Sequence, residues 1–335
     1  MNLNLQRVYQ ARENLRGIAI ATPITLSHEL SETSGARIYF KWESLQKTGS
    51  FKIRGAIHKM RSIKQEELSK GVITASTGNH AQGMAFGARL LRISATVVMP
   101  MPTPQIKVER TERLGARVIR FGENYDEAHA HCTELIDRTG MTYIPAFEDF
   151  EVMAGQGTIA LEILELFPET EMILVPVGGG GLISGIAVAA KAINPEIQVI
   201  GVQSTQACTM YHCFKAGEMV SVPVLPTLAE GLAGKIDPIT LKLVKEYVDD
   251  IVLADEEFLP NTIHWVLSSE RQVVEPSGAV GVTAIQQGLV RGVRKRNVVV
   301  VISGGNMDRS LLERIVLNHG RIQVEDRDVS KNFSY

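Results

Sequence analysis

Short apolar runs recur along most of this chain, and stretches with helical spacing lie between most of them. The runs are strand-sized and occupy residues 71–76, 94–100, 116–121, 172–177, 197–203, 249–254 and 297–303. An alternation of strands and helices is typical of βαβ units. Because such units build a parallel sheet with helices on both faces, the sequence predicts an α/β fold.

Chain length and local pattern predict how the fold is divided. The 335 residues correspond to roughly two domains of about 150 residues each. Residues 5–15 have the spacing of a short amphipathic helix, and residues 36–42 alternate as a half-buried strand does. The segment 145–155 is the candidate loop between domains. The charged residues after Asn318 predict a loosely ordered tail.

Composition narrows the class of partner. The chain is 44% hydrophobic and 21% charged, and its net charge of −2 indicates neither nucleic acid nor an anionic membrane as a partner. Its apolar runs are far shorter than the roughly 20 residues that a membrane span needs. Cys132, Cys208 and Cys213 form no CxxC pair and are too few for a disulfide framework. We therefore expect a cytoplasmic protein that binds neither nucleic acid nor a membrane.

Two glycine clusters follow predicted strands. Gly178, Gly179, Gly180 and Gly181 come between the run 172–177 and a helical stretch, and Ser303 begins the second cluster, SGGN. Glycines let the backbone approach an anion closely, and a helix N-terminus adds free N–H groups. Because parallel strands end at one edge, both clusters should line one crevice. The alternative for the first cluster is a tight turn without a ligand.

Two further segments carry polar groups that could bind a ligand or react with it. The loop Ser76, Thr77, Gly78, Asn79 and His80 follows a strand and opens a helix, so it could hold a carboxylate. An ordinary helix cap is the alternative, because Ser, Thr and Asn are preferred caps.

The other segment contains Lys52, which lies between the apolar Phe51 and Ile53 at the start of a predicted helix. A partly buried lysine has a lowered pKa and can act as a nucleophile, whereas a basic stretch is more often a solvated face.

Metal and serine-hydrolase chemistry have little support in the sequence. The eight histidines include no HxxxH or HExxH pattern, and no group of cysteines and histidines has zinc spacing. A G-x-S-x-G elbow is also absent. We predict no metal site.

Taken in order, five motifs resemble those of pyridoxal-phosphate (PLP) enzymes of fold type II. The resemblance is to their threonine/serine dehydratase and serine racemase branch, and it runs from about residue 15 to about residue 318. The motifs are KTGSFKIRGA (47–56), STGNHAQG (76–83), AGQGTI (154–159), PVGGGGLISG (176–185) and SGGN (303–306).

This resemblance implies a fold like that of tryptophan synthase β, with two open, twisted, parallel-sheet α/β domains and the cofactor between them. The large domain would comprise residues 1–52 and 147–320, and the small, mobile domain residues 53–146. Residues 321–335 would be a charged tail. A homodimer or homotetramer is also implied.

The resemblance further implies roles for single residues. Lys52 would carry the cofactor through its amine and move the substrate Cα proton, with Phe51 packed near the ring. Gly178, Gly179, Gly180, Gly181 and Leu182 would bind the phosphate, Asn79 the 3′-oxygen and Ser303 the ring nitrogen. The loop of Ser76, Thr77, Gly78, Asn79 and His80 would bind the substrate carboxylate.

Within the branch, the resemblance favours a dehydratase that converts L-threonine, and L-serine as a second substrate, into a 2-oxo acid and ammonia. Gln203 and Thr209 stand where the racemases have the acidic ligands of a divalent cation. Thr77 departs from both the serine of racemases and the alanine of catabolic dehydratases, and its hydroxyl could act as an acid.

Serine racemisation therefore stays open, as does dehydration of another hydroxy-amino acid, such as 3-hydroxyaspartate or one met in hydroxyectoine breakdown. Glu230 replaces a frequent aspartate, and Glu275 is expected near the cofactor pocket.

Overall fold

The computed structural model describes residues 2–223 and 225–321. Ten strands are assigned in these residues: β1 (Ile24–Leu26), β2 (Arg37–Trp42), β3 (Val72–Ala75), β4 (Ala95–Met99), β5 (Arg117–Arg120), β6 (Thr142–Tyr143), β7 (Met172–Pro176), β8 (Gln198–Ser204), β9 (Asp250–Ala254) and β10 (Asn297–Ile302).

The α-helices in the same residues are α1 (Leu5–Leu15), α2 (His28–Ser34), α3 (Lys52–Ser62), α4 (Gln65–Leu68), α5 (Asn79–Leu91), α6 (Gln105–Arg113), α7 (Tyr125–Thr139), α8 (Phe150–Leu166), α9 (Gly181–Ile193), α10 (Thr209–Ala216), α11 (Pro238–Tyr247), α12 (Leu259–Trp265), α13 (Pro276–Gln286) and α14 (Arg309–Leu317). The predicted α/β class is confirmed, and each of the seven apolar runs contains a strand.

The strands form two separate sheets. Six strands in the order β1-β2-β10-β7-β8-β9 make the larger sheet, in which only β1 is antiparallel to its neighbour. Four parallel strands in the order β5-β4-β3-β6 make the smaller sheet. The chain enters the smaller sheet after β2 and returns to the larger one at β7, so one sheet unit is inserted within the other.

The central strand β10 shows why the apolar runs are continuous. Val299 and Val301 pack in the core on one face of the larger sheet, whereas Val298, Val300 and Ile302 pack in the core on the other face. Helices cover both faces, so the five buried residues that follow Asn297 along the strand all need apolar side chains.

The predicted loop 145–155 is wrong in its second half, because α8 begins at Phe150. Asp149 starts this helix: its Oδ1 accepts the backbone N–H groups of Glu151 at 2.9 Å and Val152 at 3.0 Å. The residue boundaries of the two domains stay a prediction. The predicted tail at 321–335 lies outside the described residues except for Arg321. Among the helices of the described part of the chain, none is long and apolar enough to span a membrane.

Candidate active site

The lysine motif runs beside the second glycine cluster. Ser50 and Gly304 form an isolated antiparallel bridge, and the Phe51 N–H donates to the Ser303 carbonyl at 3.1 Å. These contacts place Lys52, the first residue of α3, at the carboxyl edge of β10. The lysine motif and the second glycine cluster, which are distant in sequence, therefore meet at one edge of the larger sheet.

The Lys52 amine lies in a pocket that disfavours its charge. Its Nζ donates to the Ala146 carbonyl at 2.9 Å. Burial lowers the pKa of this amine to about 8, and the negative charges of Glu148 and Glu275 partly oppose that decrease. A measurable fraction of the amine is therefore neutral near pH 7, and the neutral form is the nucleophile.

The loop Gly178–Gly181 joins β7 to α9 and has no room for side chains. A Cβ on Gly179 would lie 2.6 Å from the Phe147 ring, and one on Gly180 would lie 2.7 Å from Met210 Cε. Gly180 also has φ +94°, which favours glycine. The loop leads directly into the thirteen-residue helix α9, whose first N–H groups have no intrahelical acceptors. This is the geometry of a phosphate cradle.

The segment at Ala146 and Phe147 connects the lysine to the glycine loop. The Ala146 carbonyl accepts from Lys52, and the next residue, Phe147, packs against Gly179 and Gly181. A Cβ on Gly181 would lie 2.8 Å from both Cβ and O of Phe147. This segment belongs to the predicted loop 145–155, but its place at the site was not predicted, because nothing in the letters PAF distinguishes it from an ordinary loop.

The loop 76–80 is open at its centre. Gly78 is the N-cap of α5, and no side chain caps this helix, so the alternative of an ordinary Ser, Thr or Asn cap is wrong. A Cβ on Gly78 would meet no atom within 4 Å. Ser76, Thr77 and Asn79 are half-buried around it. The backbone N–H groups at the start of α5 are therefore available to an anion.

The side chain of His80 bonds to the protein backbone. Its Nε2 faces the Ile144 carbonyl at 2.9 Å, so this nitrogen must donate. Burial and the nearby Lys52 lower the pKa of His80 to about 3. The ring is therefore neutral at physiological pH and fixes α5 against the end of the smaller sheet.

Asn79 bonds to two residues of the larger sheet unit. Its Nδ2 donates to Glu275 Oε1 at 2.8 Å, and its Oδ1 accepts from Asn306 Nδ2 at 2.8 Å. Burial raises the pKa of Glu275 to about 7, although hydrogen bonds from Asn79 and the Asn306 backbone oppose the increase. Glu275 thus lies at the site, as the sequence analysis expected.

Comparison with known proteins decides the family. The family model of pyridoxal-phosphate dependent enzymes matches residues 15–304. This chain belongs to that family.

Individual relatives of this PLP enzyme cover nearly its whole length. It is 44% identical to an L-threonine ammonia-lyase of Thermotoga maritima over 322 residues, which are 96% of this chain and 80% of that protein. It is 40% identical to the catabolic L-threonine dehydratase TdcB of Escherichia coli over 310 residues, which are 92% and 94% of the two chains.

Solved structures give the same family and fold. The structure of maize serine racemase has a TM-score of 0.90 with this chain at 32% identity, with 95% and 98% of the two chains covered. Threonine deaminase isoform 2 from Solanum lycopersicum has a TM-score of 0.86 at 35% identity and covers 94% of each chain. The predicted fold type II is confirmed.

The groups present fit the family's cofactor. Pyridoxal phosphate carries an aldehyde, for which the Lys52 amine with its pKa of about 8 is a suitable partner. It also carries a phosphate, for which the cradle at Gly178–Gly181 has the required backbone. Both groups adjoin Phe147, through Ala146 in the case of Lys52.

Gln203 of this PLP enzyme is already committed to protein contacts. Its Nε2 donates to the Val177 carbonyl at 3.0 Å, and its Oε1 accepts the Tyr211 N–H at 2.7 Å. Gln203 is buried and its amide fixes the start of α10 rather than an ion. Across residues 2–223 and 225–321, no group of three or more His, Cys, Asp and Glu side chains is arranged to hold a metal.

A buried cluster of charged side chains is centred on Arg54, two residues after Lys52, and it was not predicted from the sequence. Arg54 is 1% exposed and pairs with Glu43 (Nε to Oε2, 2.8 Å) and Glu162 (Nη1 to Oε1, 2.6 Å). Lys41 Nζ reaches the same Glu162 at 2.5 Å. The positive charges of two cations thus balance the negative charges of two carboxylates in this cluster. The signal available in the sequence was a charged residue in the apolar stretch that begins α3.

Proposed function

We propose that this protein is a PLP-dependent ammonia-lyase that converts L-threonine to 2-oxobutanoate and ammonia, with L-serine as a second substrate. The observation that carries the proposal is the 40–44% identity to L-threonine ammonia-lyases and dehydratases over more than nine-tenths of the chain. The lowered pKa of Lys52 supports it, because such an amine can both bind the cofactor and carry a proton.

Each predicted site residue has a place in this reaction. When bound, PLP supplies an electron sink that weakens the bonds at the Cα of an amino acid. The backbone N–H groups of Gly178–Gly181 and Leu182 would hold its phosphate, with Phe51 beside its ring. Ser303, buried just after β10, would offer its hydroxyl to the ring nitrogen. A hydroxyl at this position, in place of a carboxylate, would favour elimination.

The substrate is held and deprotonated by residues of α3 and α5. The backbone N–H groups of the loop 76–80 bind the substrate carboxylate at the helix N-terminus. Lys52 Nζ, neutral near its pKa of about 8, accepts the Cα proton. The β-hydroxyl then takes up a proton and leaves as water. The released enamine becomes its imine tautomer, whose hydrolysis by one water gives the 2-oxo acid and ammonia.

The test is formation of 2-oxo acid from L-threonine, L-serine, D-serine and the 3-hydroxyaspartates, with chiral analysis of the remaining substrate. We expect 2-oxobutanoate from L-threonine without racemisation. Lys52→Ala should abolish both turnover and the visible absorbance of lysine-bound cofactor, and Lys64→Ala, at an exposed position, should preserve both. Absence of 2-oxobutanoate from a protein that binds PLP would refute the proposed substrate.

Serine racemisation is the second candidate, because the TM-score of 0.90 is with a serine racemase. That reaction needs a proton donor on the face of the substrate opposite Lys52, and the half-buried Thr77 has a hydroxyl for it. Appearance of D-serine from L-serine, lost in Thr77→Val, would support this activity. A cytoplasmic location and a homodimeric or homotetrameric state stay predictions.

A further inference from the structure

One chain of hydrogen bonds joins four segments that are distant in sequence. Asn306 Nδ2 donates to the Thr48 carbonyl at 2.7 Å and to Asn79 Oδ1 at 2.8 Å. Asn79 Nδ2 in turn donates to Glu275 Oε1 at 2.8 Å. The chain thus runs from the lysine motif through the SGGN cluster and the substrate loop to the N-cap of α13.

The donor-to-acceptor direction of this chain of hydrogen bonds is fixed by the Thr48 carbonyl at one end. A backbone carbonyl can only accept, so the Asn306 atom facing Thr48 must be the donor Nδ2. That nitrogen cannot accept, so the Asn79 atom facing it must be Oδ1. The Nδ2 of Asn79 is therefore turned toward Glu275, whose carboxylate accepts. The orientation of each amide follows from donor and acceptor chemistry alone, although nitrogen and oxygen have similar shapes.

Packing prevents Asn306 from relaxing away from this arrangement. Gly49 lies against its side chain so closely that a Cβ there would be 2.5 Å from Asn306 Oδ1. The Gly305 N–H also donates to the Gly49 carbonyl at 2.9 Å. The backbone of Asn306 also lies beside the Glu275 carboxyl group and opposes the increase in its pKa, so Asn306 acts on Glu275 directly as well as through Asn79.

We propose that Asn306 is a positioning residue that holds the Asn79 amide with its donor facing the cofactor side, with Glu275 as the acceptor that closes the chain. The inference rests on the proposed PLP-dependent function. Asn79 Nδ2 has a second hydrogen beyond the one given to Glu275, and the 3′-oxygen of PLP is an acceptor. An Asn79 amide turned the other way would present Oδ1 to that oxygen and repel it.

Asn306→Asp reverses the donor-to-acceptor direction of this chain of hydrogen bonds without changing the shape of the side chain. Aspartate cannot donate, so Asn79 must turn its Nδ2 toward position 306 and its Oδ1 toward Glu275. Two acceptors then face each other at Thr48, and also at Glu275 wherever it is ionised, above its pKa of about 7, and both conflicts cost stability. Glu275→Gln in the same protein repairs the conflict at position 275, because the new amide donates to Asn79 Oδ1.

The experiment compares Asn306→Asp, Glu275→Gln and the double variant in two measurements. The first is the Kd for PLP added to the cofactor-free full-length chain, and the second is urea unfolding of that chain. We expect Asn306→Asp to weaken PLP binding about tenfold, the effect of losing one hydrogen bond to a charged acceptor. We expect the double variant to regain stability beyond the sum of the single changes, while PLP binding stays weak.

A purely structural role predicts a different result. If Asn306 only held the fold together, the double variant would recover PLP binding together with stability, and that result would overturn the proposal. Unchanged PLP affinity in Asn306→Asp would overturn it as well. Asn194→Asp is the matched control: its side chain accepts from the Glu196 N–H, a role that aspartate keeps, so both measurements should match the parent.

Neither measurement uses an amino-acid substrate. A protein that binds PLP and gives the expected pattern, yet forms no 2-oxobutanoate, refutes the proposed reaction and leaves the role of Asn306 intact.

Discussion

Protonation of His80 should weaken the fold by an amount that follows from its surroundings. The pKa of His80 is about 3 in the folded protein, against an ordinary value of 6.5 in an unfolded chain. Between these values the unfolded chain binds more protons than the folded one, so stability rises with pH. The contribution of neutral His80 to the free energy of unfolding is therefore complete above pH 6.5 and decreases as the pH falls below that value.

The magnitude at pH 5 is set by the distance from the unfolded pKa. Each pH unit below 6.5 is worth about 1.4 kcal/mol, so His80 should cost about 2 kcal/mol at pH 5 relative to pH 7. The reason is physical: a charged ring would lie buried near Lys52, and the Ile144 carbonyl faces only one of its nitrogens.

The assay is urea unfolding of the cofactor-free chain at pH 7 and pH 5, for the parent and for His80→Gln. Glutamine retains an N–H donor for the Ile144 carbonyl but does not titrate. The difference in free energy of unfolding between the two proteins should move in favour of glutamine by about 2 kcal/mol at pH 5. Other titrating groups, such as His58, are present in both and cancel. A difference that is the same at both pH values would refute the argument.

Three further results are expected. Gly181→Ala should sharply reduce PLP affinity in a titration, because its Cβ would lie 2.8 Å from Phe147. Attachment of PLP to Lys52, followed by absorbance, should accelerate about tenfold per pH unit up to pH 8 and then level off, because only the neutral amine reacts; a flat rate would contradict this. Arg54→Met should lower the free energy of unfolding by about 3–5 kcal/mol, because the buried Glu43 loses its ion pair with Arg54 and Glu162 keeps its pair with Lys41 alone. Arg309→Met, at a pair 88% and 54% exposed, should cost under about 1 kcal/mol.

Strands that are buried on both faces could be predicted from the sequence, and very short strands could not. Residues 298–302 are all apolar because cores lie on both sides of β10. β1 and β6 have three and two residues, too few to show a period. The start of α8 was missed although Asp149 followed by Glu151 and Val152 is a helix-start pattern.

The residues of the site also divide into those that the sequence alone could identify and those that it could not. Glycine loops and the lysine could be identified because each needs an unusual residue type at a fixed place. Asn306 and Arg54 act through partners that lie far away in the sequence, such as Asn79 at 227 positions and Glu162 at 108. Donor and acceptor pairing across such separations becomes visible only when the fold brings the segments together.

The buried cluster of Lys41, Glu43, Arg54 and Glu162 has a consequence for how this family can diverge. Its two positive and two negative side chains are joined by ion pairs, so loss of one member leaves an unbalanced charge inside the protein. Single replacements should therefore be selected against, whereas replacements that preserve neutrality are tolerated together. Among homologous sequences, these four positions should covary as a unit, with charge conserved as a sum even where the individual residues change.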